Sequence, residues 1–405
     1  MVPANGVKPG IGYTSYHSSP LIEADRAWLT TRYGQVLCLD VSPLRKGGRE
    51  PKPVWELNMV ESLGVAPFYH VMSDGKTCSI GASYRDRIYV ITGNGIGGWR
   101  GGNGTYSEEV HAPNAPSLLC LDKNSGKVLW QDNSPGINIL NGQWGSPLEA
   151  EVGGRGQVIA PLGDGWVRSF DALTGELLWK LDINSKSVTK RFDKNHFLNA
   201  PVLYQERIFI GGGNDFEMGE GPGSLFCIDP TRRGDVSLVL DDGPGKGKLN
   251  PNSAVVWHMA SFGRTMSQVA IHNGLVIAAG YDGYVHCLDA KTGQQHWRHD
   301  TQGHMITSPL IVDGKIYVGS EEGEMFVLKL SKEKSLLFTH QHPGSIWSSP
   351  VFANGVLYIA DDRELLAIQQ GTSSPPPPKT AKRWMLYSNR SFRYATSAAL
   401  QSCSH

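Results

Sequence analysis

Apolar residues in this chain come in short runs, and the runs recur. YVHCLD (284–289), WVRSFD (166–171), KIYVGS (315–320) and GLVIAA (274–279) are each bounded by polar turns that contain glycine. Their length and their β-branched and aromatic content predict strands rather than helices. Asn273-Gly274, Asp313-Gly314 and Asn354-Gly355 precede such strands. Asp164-Gly165, Asp282-Gly283 and Glu322-Gly323 stand between one strand and the next. Such dipeptides accept the positive φ of tight hairpin turns, so consecutive strands are predicted to pair antiparallel.

The pattern is periodic. Each unit opens with Ser-Pro or a relative, at Ser18–Leu21, Ser146–Leu148, Ser308–Leu310 and Ser348–Val351. Its third strand ends at an equivalent position: Asp40, Asp122, Asp171, Asp229, Asp289, Lys329 and Gln369, the last three intervals being 60, 40 and 40 residues. Insertions at 94–116 and 241–256 stretch the longer intervals. A repeated unit of four short strands cannot cover its own faces, and stacking around an axis solves this. The expected fold is all-β, a single β-propeller of four-stranded antiparallel blades. Seven blades are visible, at about 18–58, 76–131, 144–182, 198–257, 264–300, 305–341 and 347–370, in an intact protein of seven or eight. Residues 1–17 form an N-terminal segment, and 371–405 a Pro-rich linker with a basic tail expected to be disordered.

Composition narrows the classes of function. Lys plus Arg (38) balance Asp plus Glu (38), which leaves no global positive field for nucleic acid or an anionic membrane. No apolar run approaches the roughly 18 residues of a membrane helix, and MVPANGVKPG shows no signal peptide. The chain is expected to be a monomer.

Three stretches are nearly one sentence: DKNSGKVLW (122–130), DALTGELLW (171–179) and DAKTGQQHW (289–297). The aspartates Asp122, Asp171 and Asp289 can cap a turn through their side chains. Thr174 and Thr292, with Ser125 in the first copy, supply turn residues, and Gly126, Gly175 and Gly293 tolerate positive φ. Trp130, Trp179 and Trp297 lie on the outer strand, where a large ring can cover the junction with a neighbouring blade. The motif is read as structural. Asp40 with Trp55 forms a stretched copy, while blade 4 (Asp229, Thr231, Gly234) shows no tryptophan in register.

These residues resemble the tryptophan-docking repeat of PQQ-like propellers, over about residues 18–370. That group includes quinoprotein alcohol dehydrogenases and BamB-like propellers of bacterial outer-membrane assembly. WD repeats share the wider WD40/YVTN-like fold, but no Trp-Asp dipeptide occurs here. The resemblance implies that a quinoprotein dehydrogenase would hold PQQ against an adjacent-cysteine disulfide and a calcium on Glu, Asn and Asp. This chain has no Cys-Cys pair and no C-x-x-C-H haem signature. Asn199 or Asn214 with Asp215 and Glu217 is the one calcium set that can be assembled on paper. No cofactor is therefore expected, and PQQ with calcium stands as the alternative.

Cys38, Cys120, Cys227 and Cys287 share one repeat position, filled by Ser169, Val327 and Ala367 in other blades. A small residue packed between sheets explains them, and residues that far apart cannot be bridged. Cys78 and Cys403 have no evident partner. GNGIGG (93–98) matches a dinucleotide fingerprint, but WRGGNGTYSEE after it is not helical, so it is read as a glycine-rich loop. GKT at 75–77 is read as a turn.

Propeller geometry nominates a ligand rim where the first strands begin. The candidates are His17 (beside Tyr16), Trp144 (beside Gln143), Asn199 (beside Leu198), Arg264, Thr265, His304 and Trp347 (beside Ile346), with His258 as a further rim or loop residue. Such a set could hold a small polar or aromatic ligand. The reading is a non-catalytic binding or scaffold module whose partners are proteins or a small polar ligand. The resemblance places it in the bacterial cell envelope. The alternatives are a PQQ-dependent oxidoreductase and a hydrolase or lyase using the rim.

Overall fold

A computed structural model describes residues 19–31, 33–66, 69–70, 75–76, 79–99, 106–214 and 223–369. His17, Cys78, Asp215, Glu217, Cys403 and the tail 371–405 lie outside the described residues.

The chain is an all-β propeller. Six of its sheets are built on four antiparallel strands in sequence order, and a seventh has three. Blade 1 comprises Leu21–Glu23, Arg26–Thr30, Gln35–Asp40 and Lys52–Asn58. Blade 5 comprises Ala270–His272, Leu275–Ala279, Tyr284–Asp289 and Gln295–Asp300. Blade 7 holds Val351–Ala353, Val356–Ala360 and Leu365–Gln369.

The alternation of a strand assigns each residue to one face. In blade 5, Val276, Ala278 and Leu288 pack with Phe209, Leu225 and Cys227 of blade 4. Leu275, Ile277 and Val285 pack instead with Ile316, Val318 and Phe326 of blade 6. The core is thus six separate apolar layers, one between each pair of consecutive blades. Each fully buried Leu, Ile or Val in a layer stabilises the fold by roughly 1.5–3 kcal/mol. First strands also touch side by side. Ser79 Oγ donates to Gly145 O (2.7 Å), and Ser267 Oγ to Thr307 O (2.8 Å).

The repeated Asp-x-x-Thr-Gly turn has one geometry. Asp171 Oδ1 accepts from Leu173 N (2.9 Å), Thr174 N (2.8 Å) and Thr174 Oγ1 (3.0 Å). Asp289 accepts in the same way from Lys291 N, Thr292 N and Thr292 Oγ1, and Asp122 from Asn124 N, Ser125 N and Ser125 Oγ. Despite partial desolvation, the Asp171 carboxyl is held below the ordinary aspartate value by the Arg155 guanidinium and then by these turn bonds, and the Asp289 carboxyl by its turn bonds.

The docking tryptophans Trp55, Trp130 and Trp297 reach into the turn of the next blade. The indole nitrogens of Trp55, Trp130 and Trp297 donate to Lys123 O (2.9 Å), Ala172 O (3.3 Å) and Ser331 O (2.8 Å). Within its own sheet the tryptophan stands opposite the repeated small residue: Trp55 opposite Cys38, Trp130 opposite Cys120, Trp297 opposite Cys287, and Trp179 opposite Ser169. A bulge follows at each pair, where the register shifts by one residue.

Three expectations need correction. Blade 4 does carry a docking tryptophan in register: Trp257 stands opposite Cys227 and donates to Ala290 O (3.0 Å). An insertion between Ile228 and Val255 displaces it along the sequence. Part of that insertion, Gly234–Asp235, adds a fifth, parallel strand to blade 3 beside Trp179. Trp179 accordingly donates within its own blade, to Gln157 Oε1 (3.1 Å), and is fully buried. Secondly, the glycine-rich stretch 93–98 is not simply a loop, because Ile96–Trp99 pairs with Tyr106–Val110 as a β-hairpin. Thirdly, His258 belongs to the outer strand of blade 4, where its ring stacks on Phe226 at 4.3 Å.

Candidate functional site

Four of the nominated rim residues fall into two groups. Asn199 and Thr265 are buried: the Asn199 amide bonds across to the neighbouring blade, and the Thr265 hydroxyl bonds within its own. Asn199 Nδ2 donates to Ser267 O (3.1 Å) and Thr265 O (3.4 Å), while Thr265 Oγ1 donates to Ala279 O (2.8 Å). Gln143, also buried, donates to Asn94 O (2.8 Å) and Ser117 Oγ (3.0 Å). These amides and hydroxyls satisfy backbone that would otherwise be stranded between the sheets.

Arg264 and His304 form the second group, and the structure brings them together through Tyr281. The His304 ring lies parallel to the Tyr281 ring, with centroids 4.4 Å apart and planes 4° apart. The Arg264 guanidinium stands 5.4 Å from the same ring centroid, within cation–π range. Backbone bonds fix the cluster: Tyr281 N donates to Arg264 O (2.6 Å) and Glu321 N to His304 O (2.9 Å). His304 Nδ1 lies 2.9 Å from the Tyr281 carbonyl, so it carries the proton and donates. Burial raises the Glu321 carboxyl above its ordinary value. His304 is exposed, and Arg264 is half-buried. The cluster presents a cation, a phenol, an imidazole and a carboxyl on adjacent turns.

Trp144 and Trp347 are not part of that stack. Trp144 is half-buried beside Gly142, while Trp347 is 54% exposed and follows the fully buried Ile346. Tyr281 and Glu321 were missed in the sequence. Each sits one residue before the Asp282-Gly283 or Glu322-Gly323 turn, a position that can be read from the repeat once the preceding rim residue is placed.

Two members of the calcium set, Asp215 and Glu217, lie outside the described residues. Asn199 directs its amide nitrogen at blade 5, and among the described residues no three His, Cys, Asp or Glu side chains are grouped to hold a metal ion. No chemistry is derived through a quinone–calcium centre.

Comparison with known proteins agrees with the repeat. Outer membrane protein assembly factor BamB from Yersinia pestis is 21% identical over 377 residues, 88% of this chain and 75% of that protein. A polyvinylalcohol dehydrogenase from a Sphingopyxis species is 27% identical over 158 residues, 32% of this chain but only 24% of the dehydrogenase. The chain thus spans about a quarter of that enzyme's length. Among solved structures, BamB from Moraxella catarrhalis superposes with a TM-score of 0.57 at 18% identity, covering 85% of this chain and 82% of that one. The family model described as outer membrane protein assembly factor BamB matches residues 54–239 and 247–375, most of the propeller, and the chain belongs to that PQQ-like repeat family.

Proposed function

We propose that the chain is a non-catalytic binding propeller that docks a protein partner at the mouth of its channel, in the bacterial cell envelope. The observation that carries this reading is the Arg264–Tyr281–His304 stack, with Trp347 exposed two blades further on. Arg, Tyr and Trp are the residue types that dominate protein-binding hot spots, because they offer large contact area together with a polar handle. The rings hold each other in place before any partner arrives, which lowers the entropy cost of docking. The BamB relatives are named as outer-membrane protein assembly factors, and this supports an assembly or scaffold role.

A photo-crosslinker at position 304 or 347, in cells that make the protein, tests the proposal. The expected result is a discrete protein adduct that Arg264→Ala/Tyr281→Ala reduces at least tenfold. Adducts that form equally at Val256, on an exposed outer strand, would overturn it.

A quinoprotein ethanol dehydrogenase from Pseudomonas putida, 28% identical over 123 residues, favours a second reading, quinone binding. Titration with PQQ and calcium, followed by absorbance, separates the two. Micromolar calcium-dependent binding would replace the scaffold reading.

A further inference from the structure

A cavity of about 710 Å³ opens on the side of blade 3. It is walled by the ends of strands Trp166–Asp171 and Leu177–Asp182, by the segment 184–194 and by the turn at 241–245. Its chemistry is one-sided. Five basic side chains line it: Arg168, Lys180, Lys186, Arg191 and Lys194. Three carboxylates line it as well, and two of these are already neutralised. Asp164 is held by the Arg168 guanidinium through two bonds (2.8 and 2.6 Å), and Asp182 by Lys186 (2.7 Å). Over the whole lining, five basic side chains face three carboxylates, an excess of two positive charges.

Cations of the wall are also placed by a neutral group, the Trp166 indole. The Lys180 ammonium lies 4.9 Å from the centroid of the Trp166 indole, the Lys186 ammonium 5.3 Å and the Arg168 guanidinium 5.7 Å. The Trp166 ring therefore gathers three cations. Arg191 donates to the Ile139 carbonyl. Among the described residues, Lys180 and Lys194 have no carboxylate within 4 Å. Asp164 of the buried Asp164–Arg168 pair also accepts the Trp166 backbone N–H (3.3 Å). Clustered like charges in a concave, low-dielectric wall repel one another and focus the field outward. A ligand with two or more negative charges relieves that repulsion, and the volume suits a small molecule.

We propose that this cavity is a binding site for a small multivalent anion bearing two or more carboxylate or phosphate groups. It lies apart from the Arg264–Tyr281–His304 cluster and is independent of the docking reading.

Calorimetric titration of the whole chain at constant ionic strength tests it, with citrate in one arm, inorganic pyrophosphate in another and acetate as the monovalent control. Saturable 1:1 binding of citrate or pyrophosphate, at least tenfold tighter than acetate, is expected. Binding of citrate alone assigns a carboxylate ligand, and binding of pyrophosphate alone a phosphate ligand. The double variant Lys180→Gln/Lys194→Gln should weaken the bound anion at least tenfold, while Lys127→Gln, on a distant turn, should not. A readout that needs no variant is protection of Lys180 and Lys194 from acetylation, measured by mass spectrometry with and without the anion. Failure of both multivalent anions to outbind acetate would overturn the site. So would binding that leaves both lysines equally acetylated.

Discussion

The Trp130 indole lies against the backbone of Gly175 in the next blade, so close that a Cβ built on the glycine would stand 2.7 Å from Cδ2 of the ring. Gly175 also has φ +75°, where a side chain is strained. The two constraints converge on one residue and predict that Gly175→Ala destabilises the fold by about 2–4 kcal/mol, from left-handed strain plus overpacking. Gly153→Ala provides the control. It has φ +59° but nothing within 4 Å, so it should lose only the strain, about 1 kcal/mol. Urea unfolding of both variants checks the difference, and equal losses would mean that the ring yields at little cost.

Trp257 should behave as a docking tryptophan although its blade carries a broken motif. Trp257→Phe removes the bond to Ala290 O and part of the ring contact, and is expected to cost about 1–2 kcal/mol. Its exposed neighbour Val256, replaced by Ala, should change stability by less than about 0.5 kcal/mol. If the two substitutions have the same effect, Trp257 contributes no inter-blade docking.

This tryptophan marks the boundary of what was legible in the sequence. The repeat could be read because each blade buries the same two faces, so strand patterning and the Asp–Gly–Trp turn recur. Blade 4 escaped because the residues between Ile228 and Val255 break the spacing while preserving the pairing of Cys227 with Trp257. The rim was half legible. Spacing brought Arg264 and His304 to neighbouring turns, but spacing cannot say that Asn199 spends its amide on the adjacent blade and Thr265 its hydroxyl on backbone of its own. The basic cavity had no signature at all. Its walls come from four separate stretches, and only folding brings Lys180, Arg191 and Lys194 to one wall.

The repeated cysteines should be chemically silent in the native protein. Burial pushes the Cys120 and Cys227 thiols up to about 12 and the Cys287 thiol to about 11, so almost no thiolate exists at pH 8. In a Cys78→Ser/Cys403→Ser background, a disulfide reagent should find no fast-reacting thiol in the folded chain and four in urea, namely Cys38, Cys120, Cys227 and Cys287. Rapid native labelling of any of the four would show that a blade interface opens.

His196 couples stability to pH. Its ring is 1% exposed, in the layer between blades 3 and 4, and burial lowers its pKa from 6.5 to about 4. The folded state therefore holds it neutral, while the unfolded chain takes up a proton below its ordinary value. The stability from this group is fully present above pH 6.5, falls by about 1.4 kcal/mol per unit as the pH drops, and levels off near the folded pKa. The total over that window is about 3 kcal/mol. His258 and His286 are shifted in the same direction by burial, so the wild-type curve alone does not isolate His196. The difference between wild type and His196→Phe does, because both proteins keep the other histidines and phenylalanine cannot titrate. Urea midpoints measured from pH 7.5 to 4.5 should show the variant gaining on wild type steadily below pH 6.5. Parallel curves would mean that His196 is protonated as readily in the folded chain as in the unfolded one, which a ring sealed between two blades does not allow.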